Sequence, residues 1–139
     1  MTERITSSDG SLDAMVIRRA ADAYAHDACD DAVTHFYTDP KDQLQVGLLC
    51  RNKGDVVQPH CHRPQPRTVT ETAEVLVFLR GRAWVRFYAR DPVGVHTVSE
   101  VSGGDVVVLL KGGHSLEYLE DTELLEIKQG GYQDDKVLL

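Results

Sequence analysis

Positive charge is scarce in this chain: 15 Lys and Arg stand against 22 Asp and Glu, a formal net charge of -7 at pH 7. Neutralising nucleic-acid phosphates takes clustered Lys and Arg, so the composition excludes a general nucleic-acid binder. Arg80, Arg82, Arg86 and Arg90 form a local basic enrichment. Their shared parity along consecutive strand-like runs reads as a solvated face and not as a groove for an anionic ligand. Long apolar runs are also missing, since none approaches the ~20 residues of a spanning helix. The opening MTERITSSDGSLDAM has neither the basic start nor the apolar centre of a secretory signal. A cytoplasmic protein with no membrane partner is therefore expected. Cysteine is sparse and odd in number: Cys29, Cys50 and Cys61 form no CxxC pair and no disulfide-scaffold density. Reduced thiols are expected, with Cys61 packed.

What is present suffices for one core, because 139 residues make one ordinary domain and are too few for two. Helix-favouring composition is confined to residues 12–33, LDAMVIRRAADAYAHDACDDAV, where residues 15–18 read equally well as a short strand. Residues 1–33 are accordingly read as a short N-terminal arm. From His35 the pattern changes to HFY, QLQVGLLC, VVQPHCH, EVLVFL, AWVRFYA, HTVSEV, VVVLL, SLEYLE and ELLEIK, separated by turn residues. Connections this short cannot build parallel crossovers, so the pattern predicts an antiparallel, all-β sandwich or barrel over residues 34–132. The tail QDDKVLL, residues 133–139, is charged and then apolar, and either docks on a partner subunit or frays.

Within VVQPHCH, strand alternation would turn His60 and His62 to one side, about 7 Å apart at the backbone, and Cys61 to the other. Two imidazoles so placed can converge on one metal ion. Taken alone, however, His-x-His describes a polar loop equally well. Glu74 opens EVLVFL, a run apolar on both faces, where a carboxylate must be paired or bind a cation.

GDVVQPHCH followed by EVLVFLRG, with Gly54, His60, His62, Glu74 and Gly81 in order, resembles the first motif of the cupin superfamily. GDVVVLLKGGHSLEY, with Gly104, Gly112 and His114, resembles the second, although Leu110 stands where the family has proline and His114 falls one residue early. The resemblance covers about residues 44–130. It implies a cupin-type double-stranded β-helix, a jelly-roll barrel, in which His60, His62, Glu74 and His114 ligate one divalent metal ion: Fe, Zn, Mn, Ni or Co. The family places its glutamate much closer behind the second histidine, whereas eleven residues, 63–73, intervene here. That stretch, RPQPRTVTETA, reads as an insertion at the barrel mouth, with Gln65 and Arg67 as substrate-binding candidates. Glu71 inside it competes with Glu74, whose distance to Gly81 fits the family frame.

Tyr88 and Tyr118 are the candidate catalytic acids or bases, with sheet packing as the alternative for both. The ending EYLEDTELLEIKQGGY resembles that of small single-domain bacterial metal-binding cupins. The implied function is a mononuclear metal-dependent enzyme acting on a small polar metabolite in a biosynthetic pathway. Isomerisation or rearrangement of a sugar or amino-acid derivative stands level with Fe(II) oxygenation. The alternative is a non-catalytic module that binds a metal or a small ligand. Pairing through sheet edges and terminal arms, common in the family, implies a homodimer using residues 12–33.

Overall fold

Short runs with apolar residues at alternate positions become strands because one face can then be buried. The computed structural model, which describes residues 2–18, 34–90 and 93–139, contains ten. They are β1 (Glu3–Thr6), β2 (Leu12–Ile17), β3 (Thr34–Phe36), β4 (Gly47–Leu49), β5 (Glu74–Arg80), β6 (Arg82–Arg90), β7 (Val93–Ser102), β8 (Val106–Leu109), β9 (Gly113–Tyr118) and β10 (Glu123–Lys128). Every pairing is antiparallel. Among the described residues there is no helix, hence none long and apolar enough to cross a membrane.

One sheet has the order β1-β2-β8-β5-β10, a second β7-β6-β9, and β3 and β4 form a separate pair. Between the two larger sheets lies the main core, with Ala14 and Val16 of β2, Leu76 and Phe78 of β5, Val85 and Phe87 of β6, and Val107 and Leu109 of β8. The opposite face of the five-stranded sheet is buried too, by a second cluster of Met15, Ile17, Val75, Val108 and Leu110 with Tyr37, Leu44 and Val46 against it. The sheets share a core as layers of a sandwich and do not close into a barrel.

This arrangement corrects several expectations. Residues 3–17 are not an arm: β1 and β2 form a hairpin, and β2 is an interior strand paired to β8. Its helix-like run of apolar residues arises because β2 is buried on both faces. Residues 19–33, including His26, Cys29 and most of the expected dimer arm, lie outside the described residues. VVQPHCH is not a strand but part of a fully exposed segment without regular structure. Pro59 cannot donate to a ladder, and among the described residues nothing covers either face of the run. Cys61 is an exposed free thiol, not a packed one. Cys50, expected to be reduced, is buried and disulfide-bonded.

Glycines mark where the chain passes between sheets. Gly81 joins β5 to β6, Gly104 lies between β7 and β8, and Gly112 between β8 and β9, all at positive φ. On β5 and β6 the enriched arginines are charge-compensated: Arg80 pairs with Glu123 at 3.0 Å, Arg82 with Glu100 at 3.0 Å, Arg86 with Glu117 at 2.6 Å and Arg90 with Glu71 at 3.1 Å. Arg86 also lies over the Trp84 ring, 5.5 Å from its centroid, so Trp84 supports a solvated face and not the core.

Candidate functional site

Strand alternation decides which side chains enter the space between the sheets. On β5, Glu74 has the parity of Leu76 and Phe78, both in the inter-sheet core. On β9, His114 has the parity of Leu116, and on β10 Lys128 has that of Leu124, both packed against that core. Register gathers them at one end. Glu74 lies between Leu109 of β8 and Lys128 of β10, and His114 lies beside Phe87 of β6. Lys128 Nζ stands 3.1 Å from Glu74 Oε1, and His114 Nε2 stands 3.3 Å from Glu74 Oε2. One carboxylate, its side chain only 13% exposed, thus touches a cation of its own sheet and an imidazole of the facing sheet.

The charges around this carboxylate are unequal. Burial pushes the His114 imidazole below the ordinary histidine value; Glu74 and Glu126 oppose that, and Lys136 and Lys128 reinforce it. At pH 7 the ring is neutral and keeps one lone pair for a proton or a metal. The hydrogen bond to Glu74 holds the Lys128 ammonium above the usual lysine range, so it stays charged. A test of this balance is Glu74→Gln. Since the carboxylate favours the imidazolium, its removal moves the His114 titration midpoint further down, read from imidazole NMR shifts against pH in metal-free protein. A midpoint that rises or stays fixed would contradict the assignment.

The other two histidines form a separate pair. His60 and His62 meet edge to face with ring centroids 5.2 Å apart. His60 Nδ1 lies 2.8 Å from the Gln58 carbonyl oxygen. A carbonyl only accepts, so Nδ1 is the donor in this contact. Among the described residues, no three His, Cys, Asp or Glu side chains come close enough together to hold a metal. In kind the four donors fit a first-row divalent ion: three imidazoles and one carboxylate. In position they stand as two pairs, and Lys128 already places a positive charge on one oxygen of Glu74.

The remaining candidates separate clearly. Glu71 is engaged by Arg90 through both carboxylate oxygens, leaving Glu74 as the carboxylate between the sheets. Tyr88 Oη shares a hydrogen bond with Ser115 Oγ at 3.0 Å. One residue on from buried Phe87, it takes the opposite face by strand alternation. Tyr118 is on the inner parity but four residues along β9 from His114, about 13 Å away, and is 55% exposed. Neither tyrosine is brought to Glu74. Gln65 and Arg67, with His62 and Arg63, line an open concavity of about 590 Å³.

Lys128 has no place in the motif reading. The sequence signal for it was the even spacing Leu124, Glu126, Lys128, but only the register of β10 on β5 puts its ammonium on Glu74. The tail also returns to this end of the sandwich: Thr72 Oγ1 donates to Asp135 Oδ2 at 3.0 Å, and Leu139 packs on Gly113. No protein-family model, no curated protein and no solved structure matches the chain.

Proposed function

We propose that the chain is a cupin-like, metal-dependent enzyme for a small polar metabolite, its strands wound as a jelly roll. The observation that carries this reading is the Glu74 carboxylate, turned between the sheets with a neutral His114 imidazole 3.3 Å away. In this reading His114 and Glu74 hold the ion from the sheets, and His60 and His62 hold it from the segment that precedes β5. The bound ion supplies Lewis acidity toward a carbonyl or hydroxyl oxygen of the substrate. Leu109 and Phe87, buried beside Glu74 and His114, exclude water from the inner side. Lys128 pairs with Glu74 at 3.1 Å and is the nearest group able to hold a proton beside it. Gln65 and Arg67 bind the substrate.

Metal content decides the matter. After incubation with Fe, Mn, Zn, Ni or Co salts and gel filtration, the protein should retain about one ion per chain, and His60→Ala/His62→Ala should fall below ~0.2. Retention below ~0.2 by the unaltered protein with all five metals would overturn the reading. A second reading is favoured by Lys128, whose ammonium already compensates Glu74: a non-catalytic module in which the Lys128–Glu74–His114 set binds a polar ligand directly. A ligand that raises the melting temperature without metal, and is recovered chemically unchanged, supports that alternative.

A further inference from the structure

We propose that the concavity lined by His62, Arg63, Gln65 and Arg67 binds the oxyanion group of a small metabolite, a phosphate or a carboxylate. The concavity, about 590 Å³, is open to solvent, so a small anion can reach both arginines directly. Among the described residues neither Arg63 nor Arg67 forms an ion pair, whereas Arg80, Arg82, Arg86 and Arg90 are each matched by a glutamate. No Asp or Glu occurs in residues 56–70 of a chain that carries 22 of them. Two uncompensated guanidiniums therefore set the local potential and would repel a cationic ligand.

The chemistry of the lining matches an oxyanion. A guanidinium presents planar paired N–H donors that fit two oxygens at once, and the Gln65 amide adds a neutral donor. Pro59, Pro64 and Pro66 fix φ at three positions around these residues. Less conformational freedom is then lost when the arginines close on a ligand. The inference rests on the function proposed above only in making this anion part of the same substrate; the binding itself needs neither a metal nor His114.

The test is titration of the full chain with inorganic phosphate and, separately, with malonate, at about 0.1 M NaCl to screen diffuse attraction. Backbone amide NMR shifts of His62, Arg63, Gln65 and Arg67 report the binding. Saturable shifts in at least one titration are expected, weakened ~10-fold or more in Arg63→Gln/Arg67→Gln and unchanged in His114→Ala. A preference for phosphate names a phosphorylated ligand and a preference for malonate a carboxylated one. Absence of saturable shifts with both anions, or equal binding by the double arginine variant, overturns the proposal. Because His114→Ala disables the proposed metal centre and spares both arginines, failure of the metal reading and failure of the anion site are told apart.

Discussion

Phe78→Ala unfolds roughly 12 °C below the parent chain, a loss of about 4 kcal/mol. Phe78 is fully buried and the largest of the side chains with essentially no exposure. It sits on β5 at the centre of the inter-sheet core, where Leu124 is its cross-strand partner. Truncation removes apolar contact and leaves a cavity among valines that are themselves held by strand pairing, so little collapse can refill it. The backbone of Phe78 is anchored independently, donating to the Asp105 carbonyl at 3.0 Å and accepting from Gly104 N–H at 2.7 Å. The variant is therefore expected to keep its strands, with a far-UV circular dichroism spectrum close to that of the parent. A melting temperature within ~2 °C of the parent would show that this core is not where the stability lies.

Gly81→Ala should cost about 3 kcal/mol without burying or exposing any apolar side chain. Gly81 adopts φ +86°, where an L side chain is strained. A Cβ there would lie 2.6 Å from both the Asp121 carbonyl oxygen and Thr122 Cα, backbone atoms that cannot swing aside. The residue turns the chain from one sheet to the other, and its carbonyl accepts from Gly103 N–H at 3.1 Å, locking two corners together. Urea unfolding of the alanine variant should show the lower midpoint with an unaltered slope, because the unfolded chain exposes the same surface. Gly94→Ala is the control, since a Cβ at Gly94 meets nothing within 4 Å.

Much of the all-β architecture could be read from alternation. AWVRFYA became β6 because it has one face to bury and one to solvate, whereas EVLVFL became β5 with apolar residues covered on both faces. The glycines at the sheet-to-sheet passages were legible for a backbone reason, since Gly81, Gly104 and Gly112 all need positive φ. Two kinds of feature were not. β2 is apolar on both faces because both are covered, and such a run has no period that separates strand from helix. VVQPHCH has a strand's spacing, but its proline cannot donate to a ladder, and the run is exposed and without regular structure. In the candidate site, Glu74 and His114 were legible as inward-facing groups. Their contact with Lys128 was not, because a strand's register on its neighbour is a property of the pair.

The interior place of β2 also orders events in time. Its partner on one side, β1, is next to it in sequence, but its partner on the other, β8, is residues Val106–Leu109. Most of the polypeptide must be closed into a loop before that pairing can form, and loop closure of this kind slows folding. During synthesis the first hairpin leaves the ribosome early and then waits, with Met15, Val16 and Ile17 uncovered, until the last third of the chain arrives to receive it.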